Sequence, residues 1–138
     1  MSGSIQAARQ GSEPSRPSIH TLPREALGLG LRLPHYSHLF EHWPELGYFE
    51  IISENFLGDA APPQRQLARI AARYPIVLHG VSLNLLGHEP LDETYLDALC
   101  RLADRVKAPF VTDHLCWSAA HGVTHHDLTE MLARVFVT

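Results

Sequence analysis

The chain has 138 residues, of which 45% are hydrophobic and 19% are charged, a composition typical of an ordinary globular domain. Its net charge of -4 and its scattered Lys and Arg residues offer no basic surface to a phosphate backbone, so no nucleic-acid partner is expected. No apolar run approaches the roughly 18 residues that span a bilayer, and no signal-peptide pattern opens the chain, which predicts a cytoplasmic protein without membrane contact.

The first part of the chain differs from the rest in pattern. Residues 1–21 show no apolar periodicity, which predicts a disordered leader, and a folded domain is expected over residues 22–138. From Leu27 onward, short apolar runs alternate with amphipathic stretches. This alternation is typical of βαβ units built around a parallel sheet.

Four βα units are predicted in chain order. Their strands are the apolar runs at residues 27–31, 48–53, 76–78 and 110–112. The first helix is expected to reach Trp43, and the second begins at Pro62 and ends before Pro75, since proline is tolerated in a first turn but not inside a helix. The third helix has a buried face at the three-to-four spacing of Leu91, Tyr95, Leu99 and Leu102. A polar loop over residues 118–126 and a last helix from about Leu128 to Val135 complete the prediction.

Four βα units in series suit either a doubly wound sheet or part of an eight-stranded barrel of about 250 residues. Gly28 and Gly30 do not form the glycine-rich phosphate loop of doubly wound folds, because position 33 is leucine. The predicted fold is therefore α/β, a partial TIM-type barrel with about four of eight units, the N-terminal half. Open strand edges in such a half predict self-association.

Polar side chains stand at the end of each predicted strand, where barrel enzymes carry their functional groups. Side-chain alternation is expected to send Glu50 and Glu54 to the same side of the second strand. Clustered carboxylates and imidazoles need a compensating cation or a dense hydrogen-bond network, and nitrogen and oxygen donors without thiolate suit iron, manganese or zinc. The candidate metal ligands are His35, Glu50, Glu54, His79, Asp113 and His114.

Several of these residues also have plain structural explanations. His79 by itself is more often a core or loop residue than a ligand, Glu50 can pair with Arg32, and Glu54 with Asn55 can cap a loop. Asp113 beside His114 is the stronger signal, because a carboxylate next to an imidazole can ligate with it or orient it. The other histidines are interpreted as solvated, and neither cysteine fits a disulfide or zinc-ligand spacing, with Cys100 expected in the core.

Five sequence strings together carry a family resemblance: residues 28–32, 34–36, 49–56, 78–83 and 112–117. They resemble the multinuclear non-heme iron-dependent oxidative enzymes, the family of the methanobactin biosynthesis oxidase. The resemblance runs from about Leu22 to Asp127, and the motifs occur in the family's order.

The resemblance implies a TIM-type barrel that holds two or three iron ions and uses molecular oxygen to remodel cysteine residues of a ribosomally made precursor peptide. A partner protein commonly presents that peptide. By the same comparison, the metal centre involves His35, Glu50 or Glu54, His79, Asp113 and His114. The family usually continues with a Leu-Pro-Leu-Pro-like stretch after residue 128, whereas this sequence runs into Thr129 and stops at Thr138. The expected protein is a truncated oxidase domain without the later strands and their ligands.

Two other functions remain open on the sequence. A xylose-isomerase-like metal-dependent isomerase or hydrolase also places His, Glu and Asp at strand ends, and oxygen uptake with iron would distinguish the oxidase from it. A degenerate half-barrel without catalytic activity would keep these residues but hold no stable metal, and a metal content near zero would indicate it.

Overall fold

The computed structural model describes residue 22, residues 25–58, 61–87 and 89–116, and the backbone of residues 119–120 and 123–124. The expected leader at residues 1–21 and the expected last helix at residues 128–135 lie outside these described residues. Within the described part, no helix combines the length and the apolar character needed to cross a membrane.

A parallel sheet of four strands forms the centre of the structure, in the order β1-β2-β3-β4. The strands are β1 (Gly28–Gly30), β2 (Tyr48–Ile52), β3 (Ile76–Gly80) and β4 (Val111–Asp113). The helices between them are α1 (Tyr36–His42), α2 (Ala61–Ala71) and α3 (Glu93–Val106), with short 3-10 turns at Leu33–His35 and Ser53–Phe56. Each strand pairs with the one before it, whereas a doubly wound sheet reverses its order. The predicted α/β fold, a partial and unclosed TIM-type barrel, is confirmed.

The hydrophobic core lies between the sheet and its helices. Phe49 and Ile51 of β2 face the helices and stand beside Ile76 and Leu78 of β3 in register. The helices cover them with Leu67 and Ile70 from α2 and Leu99 and Leu102 from α3. Full burial of one such side chain stabilises the fold by about 1.5–3 kcal/mol.

The opposite face of the sheet carries a different set of side chains. Strand residues alternate between faces, so Glu50 and Ile52 of β2 point to this second face. In register, Glu50 pairs with Val77 and Ile52 with His79, and Thr112 of β4 pairs with His79 on its other side. A closed barrel would enclose this face. The polar groups of the second face therefore gather toward the C-terminal edge of the sheet.

Three local expectations are wrong. The polar loop expected over residues 118–126 contains two short antiparallel strands, β5 (Ala119–Ala120) and β6 (Val123–Thr124). Cys100 is exposed rather than buried, because it follows Leu99 by one residue and the helical period turns it away from the core. Leu91 lies before α3 and is 42% exposed, so it does not belong to the buried face of that helix.

The start of α3 is held by a side-chain cap. Asp92 accepts hydrogen bonds from the backbone N–H groups of Thr94 at 2.8 Å and Tyr95 at 3.2 Å. We expect Asp92→Ala to lower the free energy of unfolding by about 1 kcal/mol, measured by urea denaturation, because these donors lose their acceptor. Asp97→Ala, at an exposed position inside the same helix, is the control and should leave stability unchanged or slightly raised. Equal losses in both variants would contradict the capping role.

Candidate functional site

The C-terminal edge of the sheet brings two imidazoles into contact. His79 is near the end of β3 and His114 directly follows β4, its neighbour in the sheet. Their Nε2 atoms are 3.1 Å apart although the residues are 35 positions apart in sequence. The rings meet edge to face, with centroids 4.8 Å apart. The pairing of β3 with β4 thus joins two of the residues predicted from the sequence.

The hydrogen bonds of Thr112 assign the tautomer of His79. The Thr112 hydroxyl donates to the carbonyl oxygen of Leu78 at 3.3 Å, which uses its only proton. Its oxygen therefore accepts from Nδ1–H of His79, at 2.9 Å. Nε2 of His79 then carries the lone pair, 3.1 Å from Nε2 of His114. A neutral imidazole oriented by a bond at its other nitrogen is the form in which histidine binds metals.

Glu54 occupies a turn rather than the strand that precedes it. β2 ends at Ile52 and a 3-10 turn follows. Strand alternation therefore does not extend to Glu54, and it does not place Glu54 on the same side of the strand as Glu50. The Glu54 carboxylate accepts the Tyr95 hydroxyl at 2.6 Å and the Val81 N–H at 2.8 Å, both at Oε1. These contacts direct the carboxylate toward α3.

The surroundings of Glu54 favour its charged form. Burial by itself raises the pKa of a carboxyl group, but the hydrogen bonds from Tyr95 and from the backbone of Val81 lower the pKa of Glu54. The pKa of Glu54 is therefore lowered from its ordinary value. The carboxylate is ionised at neutral pH.

Asp113 lies beside this group, at the end of β4. Its Oδ1 accepts the backbone N–H of His114 at 2.7 Å. Burial raises the pKa of Asp113, and the nearby Glu54 charge adds to that effect against the hydrogen bonds of His114 and Leu83. A Cβ at Gly80 would collide with Oδ2 of Asp113, so the glycine that ends β3 makes room for the carboxylate.

Two predicted residues lie apart from this contact. His35 ends the exposed 3-10 turn before α1, and Glu50 sits within β2 between Gly30 and Val77 in register. Neither side chain makes a hydrogen bond with His79 or His114. Arg32 donates to the carbonyl oxygen of Leu31 at 3.0 Å, and no ion pair joins it to Glu50.

The residue that the sequence analysis missed is Tyr95. It was assigned only to the buried face of α3, yet its hydroxyl reaches Glu54 across 41 positions of sequence. Burial, followed by the hydrogen bond and charge of Glu54, raises the pKa of Tyr95 well above its ordinary value, so the hydroxyl keeps its proton. A tyrosine on a buried helix face needs a hydrogen-bond partner for its hydroxyl, and this requirement is the signal in the sequence that points to a polar contact of Tyr95.

Within the part of the chain that the structure describes, three buried side-chain oxygens have no hydrogen-bond partner: Oγ of Ser53, Oε2 of Glu54 and Oδ2 of Asp113. An unpaired buried carboxylate oxygen is costly, and a cation would satisfy it. Carboxylate oxygens and imidazole nitrogens are the types of donor that iron, manganese and zinc accept. Among the described residues, however, no group of three His, Cys, Asp or Glu side chains has the arrangement of a metal site. The described residues fit part of a ligand set.

Comparison with known proteins adds the family. A family model described as RiPP precursor modification enzyme MbnB/TglH/ChrH matches residues 26–134. A UPF0276 protein of Acaryochloris marina is 42% identical over 107 residues, which cover 78% of this chain and 38% of the relative. UPF0276 proteins of Rhizorhabdus wittichii and Caulobacter vibrioides are 40% and 41% identical, over 78% and 77% of this chain and 39% and 38% of their own lengths. The chain thus spans less than two fifths of the length of these relatives.

Proposed function

Because the chain belongs to the family of RiPP precursor modification enzymes MbnB/TglH/ChrH, we propose that it forms part of an iron-dependent oxidase domain. The complete domain would use molecular oxygen to modify cysteine residues of a ribosomally synthesised precursor peptide, presented by a partner protein. The family match supports the peptide substrate class. Since the chain spans less than two fifths of its relatives, the activity is proposed for a domain that includes the rest of the barrel.

The observation that carries this proposal is the contact between His79 and His114 at the C-terminal edge of the sheet, 3.1 Å between their Nε2 atoms. Barrel enzymes hold their reactive groups at this edge. Bound iron would supply electron exchange with oxygen and coordination of a substrate thiolate, which side chains alone do not provide.

The residues of this chain would have different roles around such a metal. His79 and His114 would bind through Nε2, while Glu54 and Asp113 would offer the oxygens that lack protein partners. Thr112 would keep the His79 ring in its metal-binding tautomer. His35 and Glu50 stay candidate ligands on the strength of the sequence.

Metal content and oxygen uptake test the proposal. The chain would be purified under anaerobic conditions with Fe(II), checked for folding by circular dichroism, and analysed for iron per chain. Oxygen consumption and peptide mass would then be measured with cysteine-containing peptides encoded beside the gene. We expect the chain alone to bind iron, and a mass change confined to cysteine once the rest of the barrel is supplied. Folded protein that takes up no iron would argue against a site built by these residues.

A chimera supplies the remainder of the barrel. Residues 26–134 of this chain would replace the matching segment of the Acaryochloris marina relative, which is 42% identical to it. We expect the chimera to bind iron to the same stoichiometry as that relative and to consume oxygen in its presence. A folded chimera without iron, beside a relative that binds it, would contradict the proposal for this chain.

Thr112→Val tests how His79 is oriented. The substitution removes the acceptor for Nδ1–H of His79 and keeps the branched shape, so the ring loses its preferred tautomer. Fe(II) affinity, measured by anaerobic calorimetry, should fall by about 10-fold, the scale typical of groups that orient metal ligands. Unchanged affinity would show that Thr112 does not orient the ring.

A further inference from the structure

The Glu54 carboxylate is asymmetric in its contacts. Oε1 accepts two hydrogen bonds, from the Tyr95 hydroxyl at 2.6 Å and from the Val81 N–H at 2.8 Å. Oε2 is buried and has no hydrogen-bond partner among the described residues. With both donors on one oxygen, the carboxylate is fixed in orientation while its second oxygen stays available.

We propose that Tyr95 is a positioning residue that locks the Glu54 carboxylate so that Oε2 is presented to a divalent metal ion. This inference rests on the proposed function and adds to it a residue that does not itself touch the metal. A short hydrogen bond from a neutral hydroxyl to a carboxylate is among the stronger contacts in proteins. Rotation of the carboxylate away from the site would break that contact.

The position of Tyr95 is fixed from two directions. Its backbone N–H is one of the two donors to Asp92, the residue that caps α3, so the first turn of the helix holds the tyrosine in place. Its ring packs against the hydrophobic core. The hydroxyl therefore reaches Glu54 from a rigid element, which is what positioning a ligand requires.

The space around the hydroxyl also matches this role. A Cβ at Gly80 would lie 3.1 Å from the Tyr95 hydroxyl and would collide with Oδ2 of Asp113. The Tyr95 hydroxyl and the Asp113 carboxylate thus both lie beside this one glycine.

The experiment compares two tyrosines that each donate one hydrogen bond. Tyr95→Phe loses the bond to Glu54, and the control Tyr74→Phe loses the bond from its hydroxyl to the carbonyl oxygen of Pro44, at 2.7 Å. Anaerobic Fe(II) titration by calorimetry and the visible absorption of bound Co(II) report on the metal, and thermal denaturation reports on folding. We expect similar losses of stability, but about a 10-fold weaker Fe(II) affinity in Tyr95→Phe alone.

A wild-type Fe(II) affinity in Tyr95→Phe would overturn the inference, as would an equal loss in both variants. A shifted Co(II) spectrum in Tyr95→Phe, with the wild-type spectrum in Tyr74→Phe, would support it, because a purely structural role does not change the ligand field.

A double-mutant cycle separates this inference from the proposed function. Tyr95→Phe and Glu54→Ala would be combined in metal-free protein and their melting temperatures compared. We expect the effect of Tyr95→Phe to shrink strongly once Glu54 is gone. Additive shifts would overturn the role of Tyr95 whatever the metal content. If the shifts are coupled but the wild-type chain binds no iron, the proposed function is overturned, whereas the orientation of Glu54 by Tyr95 is retained.

Discussion

His79→Ala is expected to remove most of the iron bound by this chain, with a loss of affinity of about 100-fold or more, because losing a ligand costs at least as much as losing a group that orients one. His79 contributes the imidazole whose tautomer is set by Thr112 and whose Nε2 lies 3.1 Å from that of His114. Without it, one of the two adjoining nitrogen donors is gone. Alanine also removes the steric support that holds the His114 ring edge to face against His79.

Iron per folded chain, determined by elemental analysis after anaerobic reconstitution, measures this effect. His42→Ala is the matched control, because His42 is exposed on α1 and its ring contacts among the described residues, to His38 and Glu41, lie within that helix. The control should retain the wild-type iron content. Folded His79→Ala protein with unchanged iron stoichiometry would remove His79 from the set of ligands.

Leu102→Ala is expected to destabilise the fold by about 3 kcal/mol, within the range of about 2–5 kcal/mol for buried leucines. Leu102 has 0% exposure and belongs to the cluster that joins α3 to the sheet. Truncation loses the transfer free energy of the side chain and leaves a cavity that the surrounding structure fills only in part. Small domains are stable by only about 5–15 kcal/mol, so this is a large fraction of the total.

Urea denaturation followed by circular dichroism measures the loss. Leu33→Ala makes the same chemical change at a side chain that is 75% exposed, and it should stay within about 0.5 kcal/mol of wild type. Equal destabilisation by the two variants would mean that the packing of α3 on the sheet does not hold the fold together.

The elements of the fold could be predicted because local periodicity reports them. The apolar run at residues 76–78 forms the first three residues of β3, and Tyr95, Leu99 and Leu102 lie on the inner face of α3. Burial cannot be predicted from the neighbouring residues in sequence alone, because it depends on the angle of a side chain around the helix axis. Cys100 lies within the helical pattern, yet one residue of rotation, about 100°, takes it from the core to the surface.

The candidate site could be predicted in composition but not in arrangement. Residues that end parallel strands must share one edge of the sheet, so the sequence could nominate His79, Asp113 and His114 together. It could not decide between Glu50 and Glu54, since the end of β2 at Ile52 depends on the turn that follows.

The sequence by itself determined the order of βα units, the polar residues at their ends and the family to which the chain belongs, because backbone period and motif are properties of neighbouring residues. Only the tertiary structure decided which side chains meet. The contact of His79 with His114 spans 35 positions, and that of Glu54 with Tyr95 spans 41. Such contacts are set by the register of β3 against β4 and by the packing of α3 on the sheet, and these depend on the whole core rather than on any local pattern.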